Sequence, residues 1–159
     1  MKTINFKFEN KGICCSGTGD FFEKSDINSL AEVYFSWKKL NKIYTDFNVR
    51  RGTFPELLSE GLASAIFGWV RTNATSLKGL SSSSCDLVDI TSGDTIQLKA
   101  CSTDSLHNAG PTSFGPRTEF DRLVFMHMNC ETDIASFYEL NENDYKTWKV
   151  NKEQTIEDQ

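Results

Sequence analysis

The chain has 159 residues, of which 25% are charged, and a formal net charge of −5. This length predicts one domain with a single hydrophobic core. The polar N-terminal stretch MKTINFKFENK, and the lack of any apolar run of about 18 residues, argue against a signal peptide and a transmembrane helix. The five cysteines are scattered without a CxxC pair. This spacing favours reduced cytosolic thiols over a zinc site or a disulfide framework.

The N-terminal part predicts one long helix after an irregular start. Residues 1–24 hold a Gly/Ser-rich turn region, CCSGTGD, and give no clear element; its GTG run lacks the lysine of a phosphate-binding loop. A helix is predicted over about 26–46, with Ser25 as its cap. Its apolar side chains recur at steps of three and four, which indicates core packing or, alternatively, a dimer interface. They are Ile27, Leu30, Tyr34, Trp37, Leu40 and Tyr44.

A second helix carries one unexpected charge. Thr53 to Glu56 read as a capping box, with Thr53 as the N-cap and Glu56 as its partner three positions on. The helix then runs over 57–70 with Glu60 as its only charged residue. A helix that is apolar all round is a buried one, so Glu60 should face the interior or a cleft. A carboxylate there needs a cation or an arginine partner.

Residues 85–101 predict two short strands around a tight turn. With Ser92-Gly93 as a two-residue loop, Val88 faces Gln97 and Asp86 faces Lys99. Because side chains alternate along a strand, Asp86, Gln97 and Lys99 then share one face. Such a face could instead be an exposed hairpin with an Asp–Lys cross-strand pair, a contact of about 0.2–1 kcal/mol.

The same residue types suit metal-dependent hydrolysis of a phosphodiester. A hard divalent cation takes oxygen ligands and keeps room for water and phosphate. Asp86 can supply a carboxylate oxygen, Gln97 a side-chain carbonyl and Leu98 its backbone carbonyl. Lys99 can stabilise the charge that develops on phosphorus or orient the attacking water. Glu60 would add a negative charge to the same site.

The C-terminal half predicts a polar loop followed by strands. Residues 71–84 form a polar loop that ends in four serines, and residues 102–118 form a long Gly/Pro-containing loop. Strands follow at 122–128 and 134–140, with a short element at 145–150. The long loop holds side chains that hydrogen-bond to base edges or phosphates, and Arg117 suits guanine. The candidates are Ser102, His107, Asn108, Thr112, Ser113 and Arg117.

Three segments in this order carry a resemblance to a known superfamily: FPELLSE, the Asp-to-Lys hairpin, and the TSFGP loop before the strand LVFMHM. Over about residues 27–145, the chain resembles the PD-(D/E)xK nucleases, and among them small type II restriction endonucleases that cut GCNGC. It departs from the superfamily at two positions. Cys85 replaces the usual proline before the aspartate, and Gln97 replaces an acidic ligand, a charge that Glu60 could restore.

The resemblance implies an α/β fold with a mixed central β-sheet flanked by helices, like that of restriction endonucleases. It implies one endonuclease domain, 1–159, with an N-terminal segment at 1–24, a helical part at 26–70 and the sheet at 85–150. The sheet would carry the catalytic hairpin and the 102–118 recognition loop. The expected activity is Mg²⁺-dependent cleavage of double-stranded DNA at a short palindrome by a homodimer in the prokaryotic cytoplasm. A catalytically weak DNA-binding protein and a repair or junction-resolving nuclease are the alternatives.

The net charge does not decide between DNA and other partners. A value of −5 argues mildly against DNA, because phosphate contacts require lysine and arginine. Acidic residues, however, are concentrated in the last 21 positions, and a metal site needs carboxylates. The cations form three clusters: Lys38, Lys39 and Lys42; Arg50 and Arg51; and Arg117 with Arg122.

Overall fold

The computed structural model describes residues 1–72, 77–79, 85–104 and 120–140, together with the backbone of 107–108. These residues form two helices and a sheet of eight strands. The elements are β1 (Lys2–Asn10), β2 (Ile13–Phe21), α1 (Ile27–Asp46), α2 (Glu56–Phe67), β3 (Val70–Thr72), β4 (Leu87–Val88), β5 (Thr95–Asp104), β6 (His107–Asn108), β7 (Arg122–Asn129) and β8 (Ile134–Leu140). No helix in the described part of the chain is both long and apolar enough to cross a membrane.

The sheet is mixed, as the sequence predicted. Its strands follow the order β1-β2-β3-β4-β5-β7-β8, and β6 pairs with β5 beside this path. Only the β5–β7 pair is parallel among the described pairings, with Ile96 opposite Arg122 and Thr103 opposite Asn129. The predicted strands at 122–128 and 134–140 are confirmed as β7 and β8. The short element predicted at 145–150 lies outside the described residues.

The N-terminal segment is a regular hairpin, so the prediction of no clear element there was wrong. β1 and β2 pair antiparallel over their full lengths, from Lys2–Phe21 to Asn10–Ile13. Lys11 and Gly12 connect them with φ of 48° and 81°. Positive φ at both loop residues is the type I′ geometry, whose twist suits a two-residue hairpin. The alternation of Ile4, Phe6 and Phe8 along β1 supports this strand.

The hydrophobic core has two parts, one formed by the helices against the sheet and one under the N-terminal hairpin. Along α1, Leu30 and Tyr34 are buried and Trp37 is partly buried, as the stripe predicted, whereas Leu40 is 45% exposed. The first part contains Leu30, Tyr34, Leu58, Leu87, Ile96, Leu98, Val124 and Met126. The second part contains Phe6, Phe8, Cys15, Val70 and Val88.

Helix α2 begins later than the capping-box motif predicted. Its first residue is Glu56, Pro55 occupies the N-cap with extended φ and ψ, and no side chain caps the helix. The first turn is closed by the Leu58 amide, which donates to the Pro55 carbonyl at 3.0 Å. Thr53 is therefore not the N-cap, and Glu56 is not held as a capping partner. Gly68, with φ of 78°, ends the helix in the left-handed conformation that glycine favours.

The central hairpin differs from the predicted register by two residues. Val88 pairs with Thr95, not with Gln97, and Asp89–Asp94 form a longer connection. The Asp89 side chain accepts hydrogen bonds from the Thr91 and Ser92 amides, which fixes this wider turn. A slip of two residues preserves the face on which each side chain lies.

Strand β5 is also longer than predicted. It continues to Asp104 and pairs with β6, so Ser102 and the His107–Asn108 segment belong to strands. The predicted recognition loop therefore does not begin at residue 102. Residues 109–119, which hold most of that loop, lie outside the described residues.

Candidate active site

Asp86 and Gln97 meet at the start of β4 and β5. Their strands pair antiparallel, and the Asp86 amide donates to the Ile96 carbonyl at 2.9 Å. Gln97 donates its side-chain amide, Nε2, to Asp86 Oδ2. The Leu98 backbone amide donates to the same oxygen at 2.8 Å. Two donors thus fix the Asp86 carboxylate, while its Oδ1 accepts no hydrogen bond from the described residues.

The electrostatic setting of Asp86 suits a cation. Burial raises the pKa of Asp86, while the hydrogen bond from Leu98 and the positive charge of Lys99 lower it. Lys99 is half-buried and has no hydrogen bond or ion pair with any described residue. The structure brings Asp86, Gln97 and Lys99 to one short region of sheet, as the sequence predicted.

Glu60 has the arginine partner that its burial requires. The side chain of Glu60 is only 12% exposed, and Oε2 accepts a hydrogen bond from Nε of Arg71 on β3. Burial raises the pKa of Glu60, and the Arg71 hydrogen bond and charge lower it. Arg71 also lies 3.7 Å from Asp20 on β2. Glu60 therefore lies beside the site as half of an ion pair.

Glu56 lies in the cleft, although the sequence pattern predicted a capping role for it. Its carboxylate does not cap the helix and raises the pKa of both Asp86 and Glu60 through like-charge repulsion. The spacing of Glu56 and Glu60 could have indicated this, because residues four apart lie on one face of a helix. Two helix carboxylates thus accompany Asp86.

These groups line one cleft of about 1570 Å³. Glu56, Glu60, Asp86, Leu98 and Lys99 lie along it, and so do α1 and the connection between the two helices. Ligand sites are usually concave and carry a few convergent polar groups. The cleft is therefore the candidate active site.

The oxygen atoms of the cleft fit a divalent cation. The described residues contain no group of three or more His, Cys, Asp or Glu side chains already placed to hold a metal. The groups present are nevertheless oxygens of the kind that hard cations take. Asp86 offers Oδ1, and the carboxylates of Glu56 and Glu60 on α2 also line the cleft. Gln97, which contacts Asp86, is 6% exposed and is not among the residues that line the cleft. These residues fit a cation held by few protein ligands, with water and phosphate completing the shell.

The candidate DNA-binding residues are placed only in part. Ser102 lies on β5 and lines the cleft. His107 and Asn108 form β6, which pairs with the end of β5. Thr112, Ser113 and Arg117 lie outside the described residues. Arg122, grouped with Arg117 by sequence, forms two hydrogen bonds of 2.8 Å with Glu139, so its charge is already paired.

Two comparisons with known proteins agree on the kind of enzyme. The family model described as Bsp6I restriction endonuclease matches residues 22–159. The chain belongs to this family. It is also 32% identical, over 139 residues, to the type II restriction enzyme Bsp6I of Bacillus sp. (strain RFL6). That alignment covers 86% of this chain and 74% of the relative. No solved structure matches.

Family membership confirms the predicted activity class. The chain is a Bsp6I-like type II restriction endonuclease, a site-specific deoxyribonuclease of restriction–modification systems. Its substrate is accordingly DNA. Type II restriction endonucleases generally use a divalent metal. The fold of the endonuclease, a mixed sheet with two helices, agrees with the restriction-endonuclease-like architecture predicted from the sequence.

Proposed function

We propose that this endonuclease cuts double-stranded DNA at a short palindrome with Mg²⁺, in a site of the PD-(D/E)xK type. The observation that carries the proposal is the convergence of two donors on Asp86 Oδ2 beside Lys99, whose ammonium pairs with none of the described residues. This arrangement keeps one carboxylate oxygen available for a cation and one positive charge available for a phosphate. GCNGC, implied by the resemblance, is the candidate recognition sequence.

The roles of the residues follow from their positions. Asp86 Oδ1, the Gln97 side-chain oxygen and the Leu98 carbonyl would hold Mg²⁺, with Glu60 adding negative charge. The bound cation would stabilise the charge on the phosphate and lower the pKa of a coordinated water. Gln97 and the Leu98 amide keep the Asp86 carboxylate in one orientation. Lys99 would hold the attacking water or stabilise the negative charge that develops on the scissile phosphate.

Base recognition is assigned to the end of β5, to β6 and to the loop that follows. Ser102 lines the cleft, and β6 pairs with the end of the strand that carries Lys99. We assign base or phosphate contacts to Ser102, His107, Asn108, Thr112, Ser113 and Arg117. Arg117 is the best single candidate, because a bidentate contact to guanine is the commonest specific one.

A palindromic target favours two copies of the enzyme. The two-fold symmetry of such a site is matched by a homodimer with one active site for each strand. We therefore propose a homodimer that works in the cytoplasm of a prokaryote, where its DNA substrate is found.

Digestion of phage DNA in the presence of Mg²⁺ tests this function. Discrete fragments whose ends map to one palindrome support it, and the same reaction with EDTA should give none. Binding without cutting would indicate a catalytically inactive DNA-binding protein instead. Cutting limited to branched DNA would indicate a junction-resolving nuclease.

A further inference from the structure

Helix α1 presents a positively charged stripe to the cleft, away from its core-facing side. Residues three and four apart share a helix face, and the side chains that line the cleft recur with this spacing. They are Phe35, Lys38, Lys39, Lys42, Thr45 and Asp46. The buried residues of the same helix are Leu30, Tyr34 and Asn41. Of these, Asn41 also borders the cleft, as does the partly buried Trp37.

The basic residues that line the cleft from α1 and from the connection between the helices differ in whether they already form ion pairs. Lys38 lies 2.5 Å from Asp133, and Arg51 lies 2.5 Å from Asp104. Lys39, Lys42 and Arg50 are exposed and form no ion pair with any described residue. Three charges on the cleft wall thus have no ion-pair partner within the described part of the chain.

The connection between the helices is fixed in place, which sets the position of Arg50. The Val49 amide donates to the Tyr44 carbonyl at 2.7 Å. The Gly52 amide donates to Asn41 Oδ1 at 2.7 Å, and the Trp37 indole donates to the Thr53 carbonyl at 3.0 Å. Arg50 therefore lies between two anchored points.

A buried donor lies beside the same wall. Asn41 is only 6% exposed, and its Nδ2 is buried without a hydrogen-bond partner among the described residues. Because the Asn41 side-chain oxygen accepts a hydrogen bond from the Gly52 amide, this residue holds the connection that carries Arg50. Phosphate oxygens are acceptors and carry the charge that the three cations would bind.

We propose that Lys39, Lys42 and Arg50 bind the phosphate backbone of duplex DNA next to the scissile phosphate. The cleft carries these cations on one wall and Asp86 with Lys99 on another. A DNA strand that reaches the catalytic groups would therefore pass along α1. This inference rests on the DNA-cleaving function and adds the contacts that position the duplex. Such contacts fix orientation and carry no sequence information.

Binding measured against salt tests the proposal. The protein is kept in EDTA so that no cleavage occurs, and a cognate and a random duplex are titrated by fluorescence anisotropy. The triple variant Lys39→Gln/Lys42→Gln/Arg50→Gln should weaken binding to both duplexes by the same factor. Removing one phosphate contact should reduce the slope of log K against log salt by about 0.9, so the slope of the triple variant should fall by about 2–3.

Control variants distinguish the loss of a phosphate contact from the loss of a positive charge elsewhere on the surface. Lys7 and Lys24 are also exposed but do not line the cleft, so Lys7→Gln and Lys24→Gln should leave the slope unchanged. Asp46 lies on the stripe, and Asp46→Asn should tighten binding. If the triple variant fails to fold, as judged by its melting transition, the three single variants are measured instead. Each should reduce the slope by about 0.9.

Three results would overturn the proposal. One is a triple variant with the wild-type slope, and another is an equally large reduction of the slope in the control variants. The third is weaker binding to the cognate duplex alone, which would make these residues base readers. Asp86→Asn should instead lose cleavage and keep the wild-type salt slope, so a failure of the catalytic assignment is distinguishable from a failure of this proposal.

Discussion

Gln97 holds Asp86 through its side-chain nitrogen, so the contact between them is that of a donor with a carboxylate. An acidic residue at position 97 would instead place two carboxylates in contact. Like charges at this distance destabilise each other unless a cation lies between them. The glutamine therefore lets the site form without a metal, at the cost of one negative charge for binding it.

Gln97→Glu should make the fold depend on the cation. We expect a lower melting temperature than wild type in EDTA, a larger increase on adding Mg²⁺, and retained cleavage with tighter metal binding. Thermal melting with and without Mg²⁺ measures the first two. Gln97→Leu is the control, because it removes the donor without adding charge and should lower cleavage by about 10–100-fold. If the Gln97→Glu protein does not fold even with Mg²⁺, Gln97 is a core residue and does not belong to the metal site.

Arg71 should be needed to keep Glu60 buried. Arg71→Gln leaves a carboxylate without its partner, which costs about 3 kcal/mol, the low end for a buried pair because Arg71 is 30% exposed. Urea denaturation measures this change in the free energy of unfolding. The double variant Arg71→Gln/Glu60→Gln should recover most of it. Asp20→Asn removes only the contact at 3.7 Å and should cost about 0–1 kcal/mol. Equal destabilisation by the Arg71 and Asp20 variants would contradict this assignment.

Asp121 should stabilise the fold in a pH-dependent way. Its carboxylate joins the N-terminal hairpin to β5, with Asn10 at 2.6 Å, Lys11 at 2.8 Å and Thr95 Oγ1 at 2.7 Å. Although burial raises the pKa of Asp121, these partners together lower it to about 2. Because folding lowers this pKa, the ionised carboxylate stabilises the fold at pH values above the ordinary pKa of an aspartate. This stabilisation disappears as the pH falls towards 2.

The variant Asp121→Asn should therefore be less stable than wild type at pH 7, with the difference shrinking between about pH 4 and pH 2. Urea midpoints across this range measure it. A difference that stays constant with pH would show that the Asp121 charge contributes nothing.

Arg117→Ala tests the assignment of base recognition. Removing one bidentate contact with guanine should reduce discrimination for the cognate site by about 1–3 kcal/mol, while binding to random DNA changes little. Competition binding with both duplexes measures the ratio. Uniformly weaker binding with a smaller salt slope would identify Arg117 as a phosphate contact and place base recognition elsewhere.

The central hairpin shows what the sequence could predict about the site. Alternation placed Asp86 and Gln97 on one face, and the two-residue error in register preserved that face. The wider turn could not be predicted from Ser92-Gly93 alone, because Gly93 also packs against the N-terminal hairpin. A Cβ at Gly93 would lie 1.9 Å from the Glu9 carbonyl oxygen, and Asn10 donates to the Gly93 carbonyl at 2.9 Å.

Other features depend on contacts distant in sequence. Strand β2 contains Gly17 and Gly19, which are poor strand formers, yet Gly19 is required because a Cβ there would lie 2.4 Å from the Arg71 carbonyl oxygen. The partner of Glu60 comes from β3, beyond the end of its own helix. Neither feature has a local signal, whereas the alternation of Ile4, Phe6 and Phe8 is a local signal for β1, which the prediction of no clear element at residues 1–24 overlooked.

The most direct test of the active-site assignment is cleavage by Asp86→Asn and Lys99→Ala, measured with Mg²⁺ on a duplex that carries the cognate site. The cleavage rate of each variant should fall by at least about 10²–10³-fold, because one lacks a charged cation ligand and the other a charge aimed at the phosphate. Binding of the same duplex in EDTA should stay close to wild type, and Lys7→Ala should cut normally. Cleavage near the wild-type rate by either variant would show that this part of the cleft is not the active site.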